Sequence, residues 1–299
     1  MTTDAEYRQA SLEIWERMAS GWELRRGDVW GASRAIGEWM VDAVDPRPGE
    51  TVLELAAGLG DTGFAAAAQV GERGRLISTD FSAAMVDAAR RHAADLGLEN
   101  AEFRQMDAER MDLADASVDC VLCRWGYMLM ADPAAALAET RRVLRPDGRL
   151  ALSVWGAPER NPWATLAGRA VREHTGAPPP DPEAPGIFAM ADPERTESLL
   201  VAAGFTPERV EHVEMWWTFS SVEDIWRFVN DLAGALAMVI RSLPEKDQAA
   251  IRDRLAESAE PYRADGGSYE LEGVCLNVLA RPAVNRPPRA SRAPAPRGA

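Results

Sequence analysis

Three glycines stand at positions 58, 60 and 63, directly after an apolar run that carries Glu54 and around an aspartate at 61. An apolar strand that enters a glycine-rich turn and opens a helix places a ligand at the carboxyl end of that strand. Gly58 and Gly60 let the backbone approach the ligand with no Cβ in the way, and Ala56 belongs to the same turn. The spacing also satisfies GxGxxG, in which a pyrophosphate lies on backbone N–H groups at a helix N-terminus. Glu54 and Asp61 bracket the turn here and would repel that pyrophosphate, so a ligand with positive charge is the better match.

Asp80 lies 20 residues beyond Gly60, at the end of the next apolar run, where one carboxylate can accept both hydroxyls of a ribose. Nicotinamide dinucleotide sites do the same. Phe81 and Met85 follow on the next turn, placed to sandwich an adenine or to pack in the core. Asp107 follows a third strand, where it can accept from an adenine amino group while Ala108 offers its N–H to the ring. A dinucleotide site has no need of this third acid. S-adenosylmethionine has an ammonium, a sulfonium and no phosphate, and it suits all of these acids.

Methyl transfer from a sulfonium is an in-line displacement that needs alignment and exclusion of water more than a triad or a metal. Where a general base is needed, histidine is the usual choice, and the chain has three. His92 is expected on a helix surface, while His174, at a helix end, and His212, on a strand, are the candidates for the base. Ten tryptophans offer an aromatic wall for a flat or cationic substrate, with Trp22 and Trp125 the choices for the pocket. Cys120 and Cys123 form a CxxC inside a strand-like run, where residues three apart point to opposite faces. Packing, and no metal, is expected there.

These groups must be carried by a repeating framework. Runs reading as strands (TVLELA, RLIST, AEFRQM, VDCVLCRW, GRLALSVWG) alternate with helical segments at 61–69, 82–96 and 132–144. Such alternation implies a parallel sheet covered on both faces. An N-terminal helical cap is expected over 1–45 and the main domain over 46–280. Five prolines in 176–186 dictate a loop or lid. A helix over 192–203, a strand over 208–219, two helical segments over 221–259 divided by Pro244, and a last strand follow. An insertion is thus expected over about 221–265. Residues 281–299 hold five Arg, five Pro and no acid, the composition of a disordered tail.

The net charge of −14 disfavours nucleic acid, whose binding rests on accumulated Lys and Arg. The longest uncharged apolar stretch, Leu232 to Ile240, has nine residues, against the ~20 needed to span a bilayer. The acidic, polar N-terminus does not read as a signal peptide, and three cysteines give no disulfide framework. A cytoplasmic location with a small-molecule substrate is expected; nothing fixes the oligomeric state.

Four segments, ELAAGLGDTG, TDFSAAMVDAAR, MDAERMDLADASVD and DPAAALAETRRVLRPDGRLALSVW, resemble in order and spacing the class I methyltransferases similar to the ubiquinone and menaquinone biosynthesis enzymes. The resemblance covers roughly residues 34–156. It implies a Rossmann-like, doubly wound α/β fold, with seven strands mostly parallel and the last antiparallel, and S-adenosylmethionine over the ends of strands one to four. It also implies cofactor roles for Glu54 beside the methionine ammonium, Ala56, Gly58 and Gly60 in the loop, Asp80 at the ribose, and Asp107 with Ala108 at the adenine. Arg124 to Tyr127 would line the methyl-transfer face. The quinone enzymes usually end soon after the sheet, whereas about 40 residues of helix precede the last strand here, which argues against a quinone.

Overall fold

A computed structural model describes residues 3–181 and 184–283. Its centre is a seven-stranded sheet of β1 (Thr51–Glu54), β2 (Arg75–Asp80), β3 (Ala101–Gln105), β4 (Val118–Arg124), β5 (Leu144–Trp155), β6 (Phe205–Phe219) and β7 (Tyr269–Pro282). The strand order is β3-β2-β1-β4-β5-β7-β6. The pairs from β3 to β5 are parallel, and β7 runs antiparallel to both β5 and β6. This is the expected Rossmann-like arrangement. The order reverses between β1 and β4, the switch point where such sheets open a crevice at the strand ends.

The central strands are buried on both faces, with Val52, Leu53, Leu76, Val121, Leu122, Leu150 and Leu152 at 0% exposure. Helices α3 (Asp61–Val70), α4 (Ala83–Asp95) and α5 (Pro133–Val143) provide the crossovers. Each starts where the sequence supplies a cap or a turn. Ser82 and Asp132 accept the N–H of Met85 and Ala135, whereas α3 starts from Gly60 in the left-handed region.

Two N-terminal helices precede the sheet. In α1 (Asp4–Leu24), Thr3 and Glu6 form a capping box. Helix α2 (Arg26–Val44) buries Ile36, Met40 and Val44 completely and packs on β4 to β7. It ends at Asp45, whose positive φ is followed by Pro46, which cannot continue the helix. After β5 come α6 (Pro162–Thr175), the proline-rich stretch and α7 (Pro193–Ala202).

Between β6 and β7 the structure has three helices, α8 (Val222–Leu232), α9 (Ala235–Ser242) and α10 (Glu245–Ala259), where the sequence suggested two. Pro244 makes the second break as expected; Gly234, at φ 51° and ψ −119°, makes the first. Arg281 and Pro282, assigned to the tail, end β7 instead. Residues 284–299 of that tail lie outside the described residues. No described helix is long and apolar enough to cross a membrane.

Candidate functional site

The turn after β1 is fixed by the strands beside it. The Leu55 N–H donates to the Leu122 carbonyl and the Ala57 N–H to the Thr79 carbonyl, both at 2.9 Å. Within the turn Ala56, Gly58 and Gly60 all take positive φ. Gly60 turns the chain into α3, and a Cβ there would meet the Phe64 ring at 2.4 Å. Gly60 therefore shapes the loop from behind and is not among the residues lining the cavity.

Glu54 is 2% exposed and accepts the Gly63 N–H at 2.8 Å. Burial pushes its carboxyl up to about 8, with Asp61 and Asp80 acting in the same direction and the Gly63 amide and Arg124 opposing. Asp80 accepts from Gly58 N–H at 2.9 Å and from Ser82 N–H at 2.9 Å. Burial raises it to about 6, against the N–H groups it accepts. Asp107 accepts from the Glu109 N–H through Oδ1.

One cavity of about 1450 Å³ receives all of these groups. Glu54, Ala56, Gly58, Asp61, Asp80, Phe81, Met85, Asp107 and Ala108 line one lobe. The rest of the cavity wall is a largely apolar, aromatic lobe that includes Trp125 beside Arg124 at the end of β4. Arg124 donates to Ser33 Oγ at 2.7 Å and lies 4.6 Å over the Trp125 ring. Trp125 has φ 62°, a costly backbone state for a bulky residue, of the kind that clusters at functional sites. Its indole donates to Cys275 Sγ at 3.2 Å. From it a ladder of rings runs outward: Trp155 at 4.4 Å, then Trp163 at 4.5 Å, Trp217 at 5.4 Å and Phe228 of α8 at 4.7 Å. All five rings line the cavity.

Helix α1 covers the cofactor-like lobe. Trp15 and Trp22 pack edge to face with centroids 6.0 Å apart, and both line the cavity. Tyr7 donates to the Leu129 carbonyl at 3.0 Å, and Arg8 pairs with Glu109. Glu16 accepts from Ser82 Oγ and from the Ala83 N–H at the start of α4. Arg26, at the start of α2, donates to Asp61 and to His92 Nε2, leaving Nδ1 of His92 to donate to the Leu59 carbonyl.

Several expectations need correction. His92 is buried at 8% exposure behind the glycine turn, because Arg26 and Leu59 give both ring nitrogens partners. His174 does not line the cavity; it reaches Asp247 of α10 at 3.1 Å. His212 is exposed on the edge strand β6, away from the cavity lining. Tyr127 is fully buried, since the short 3-10 turn after Gly126 swings its ring toward α5, where the hydroxyl meets Thr140 Oγ1 at 2.7 Å. Cys120 and Cys123 are both buried in β4, Cys120 toward Val44 and Glu50 and Cys123 toward Gly126. Burial pushes both thiols up to about 12. Among the described residues no cluster of metal-ligating groups is found.

Sequence reasoning missed Tyr7, Arg8, Trp15 and Arg26, as well as the Trp155–Trp163–Trp217 part of the ladder. The high tryptophan content was the one signal of the ladder; its assembly from β5, α6 and β6 is a tertiary event.

A family model for a methyltransferase domain matches residues 46–171. The nocamycin O-methyltransferase of Saccharothrix syringae is 30% identical over 246 residues, 78% of this chain and 86% of that protein. The chain belongs to the class I methyltransferases that use S-adenosylmethionine. The ubiquinone/menaquinone biosynthesis C-methyltransferase UbiE of Hahella chejuensis is 35% identical over 167 residues, 52% of this chain and 67% of that enzyme. Across other curated relatives the match spans only 37–63% of their own length. Among solved structures, the YcgJ protein from Bacillus subtilis superposes with a TM-score of 0.56 at 20% identity, over 83% of this chain and 98% of that one. That likeness shows a shared fold.

Proposed function

We propose that this class I methyltransferase transfers the methyl group of S-adenosylmethionine to an oxygen, nitrogen or carbon atom of a small, largely apolar molecule held against the tryptophan ladder. The observation that carries this reading is that one cavity is lined both by the acids around the glycine turn and by the tryptophan ladder. A site for one drug-sized ligand typically occupies ~300–1,000 Å³, so a cavity of about 1450 Å³ has room for cofactor and acceptor together.

The residues present fit the cofactor. Asp80, with two lone-pair directions left beyond its N–H partners, would accept from the ribose hydroxyls. Phe81 and Met85 would flank the adenine, with Asp107 and Ala108 at its edge. Glu54 and Asp61 offer negative charge to the ammonium, while Arg26 and Arg124 beside them suit the carboxylate. The bound cofactor supplies the electrophilic methyl group. The protein then aligns the acceptor in the lobe beyond Trp125 and keeps water away from it by the α1 cover. Among the described residues no histidine lines the cavity, so an acceptor that must lose a proton would give it to a carboxylate of the lining.

Calorimetry with S-adenosylmethionine, S-adenosylhomocysteine and NADH tests the cofactor assignment. Binding of the first two and not the third is expected; the reverse pattern removes the reading. A methyl-donor assay over a panel of apolar metabolites tests turnover, and a chain that binds the cofactor yet never releases S-adenosylhomocysteine would be a binding module instead.

A further inference from the structure

The aromatic lobe is apolar along most of its wall, which makes its few charges informative. The carboxylates of Glu54, Asp61, Asp80, Asp107 and Glu109 belong to the cofactor end. Near α6 and α7 the lining holds Asp192, Arg195 and Arg172. Asp192 caps α7 by accepting the Glu194 N–H at 2.9 Å, and Arg195 is engaged. Arg172 is different. It is half-buried on α6, and among the described residues no carboxylate lies within ion-pair distance of it.

The geometry places this cation inside the lobe. The α6 stripe Ala164, Gly168, Val171 and Thr175 faces the cavity. The Arg172 guanidinium folds back over Gly168, where a Cβ would come within 3.4 Å of its Nη1. Gly168 lies five residues from Trp163, roughly 8 Å along the helix, so the charge sits on the same helix as a rung of the ladder and at a distance from it. A guanidinium against apolar walls gains most from a ligand carboxylate that it can bind through two parallel N–H groups.

We propose that the acceptor is an elongated apolar acid, with its nucleophilic end at Trp125 and its carboxylate on Arg172. This rests on the methyl-transfer reading above and adds the charge and length of the substrate. Arg172 would then be a specificity-determining residue that chooses acids over neutral molecules of the same length.

The test uses the full chain saturated with S-adenosylhomocysteine, and decanoate and decan-1-ol as probes of equal length. Wild type is expected to bind decanoate about tenfold more tightly than Arg172→Met does, the size of one lost charge-assisted contact. Decan-1-ol should bind both alike, and Arg172→Lys should recover part of the decanoate affinity. Equal decanoate affinity in wild type and Arg172→Met, or no saturable decanoate binding, overturns the proposal. The S-adenosylhomocysteine titration, run first on each variant, separates the two readings. If it binds and the charge preference is absent, only the acid assignment fails; if it does not bind, the methyl-transfer reading fails and takes this proposal with it.

Discussion

The Gly63 N–H donates to Glu54 Oε1 at 2.8 Å, and a Cβ added to Gly63 would lie 2.2 Å from Glu54 Oε2. The third glycine of the turn thus serves the carboxylate behind the loop. In an ordinary helix position Gly→Ala stabilises by ~0.5–1 kcal/mol, but overpacking a filled core costs ~1–3 kcal/mol. The clash wins here. Gly63→Ala is expected to lower stability in urea denaturation and to weaken S-adenosylhomocysteine binding by more than about tenfold, because the displaced group is Glu54. A stable variant with wild-type affinity would show that Glu54 plays no part.

Proton release should accompany cofactor binding. Glu54 is held at about 8 by burial, so at pH 7 it is mostly protonated, and a cation placed beside it favours the ionised form. Binding at pH 7 is expected to release on the order of one proton, and affinity should rise as pH climbs toward 8. Calorimetry in two buffers of different ionisation enthalpy measures this directly. Glu54→Gln should abolish the release, and proton uptake by the wild type would contradict the account.

Stability should depend on pH in the opposite sense. The folded-state pKa of Glu54, about 8, lies above the ordinary value of 4.5, so the folded chain binds more protons than the unfolded one between those values. Its contribution is fully present below about 4.5 and is lost as pH rises through about 8. The melting temperature of the free protein should therefore fall from pH 6 to pH 9 more steeply than that of Glu54→Gln. Parallel curves would remove the buried carboxyl as the cause.

How far the site could be read from sequence follows the range of its interactions. The strand, turn and helix around Glu54 and Gly60, and the acids at the ends of β2 and β3, follow from local periodicity, and all but Gly60 line the cavity. Tyr127 misled because a single short turn after Gly126 decides which way its ring points. His92 lies in a segment that reads as a polar helix face, and groups distant in sequence bury it: Arg26, the Leu59 carbonyl and the Phe64 ring. The position of α1 over the cavity rests on long-range contacts such as Tyr7 with Leu129, which no window of the chain contains. Gly234 lay inside an apolar run of helical character, so its break was invisible to periodicity.

Asp80→Asn is expected to weaken S-adenosylhomocysteine binding by about 1–3 kcal/mol, since charge-assisted bonds to ribose become neutral ones. Asp80 accepts the Gly58 and Ser82 N–H groups through separate oxygens, of which asparagine keeps one, so circular dichroism is used to check that the variant remains folded. Unaltered affinity in the folded variant would displace the ribose from Asp80.

Glu16 ties α1 to the first turn of α4 by accepting from the Ser82 hydroxyl and from the Ala83 N–H, one of the free N–H groups of a helix start that a carboxylate satisfies. Glu16→Ala should loosen the cover over the cofactor lobe. A loss of about 1 kcal/mol corresponds to roughly fivefold faster release of S-adenosylhomocysteine, measurable by stopped-flow fluorescence of the nearby Trp15 and Trp22. An unchanged release rate would mean that α1 does not gate the lobe.

The most direct measurement is a crystal structure of the full chain with S-adenosylhomocysteine. The account requires the ribose hydroxyls within hydrogen-bond distance of Asp80, the amino group beside Glu54 or Asp61, and the sulfur directed past Trp125 into the tryptophan-lined lobe. Ligand density elsewhere in the molecule, or a sulfur directed away from Trp125, would contradict it.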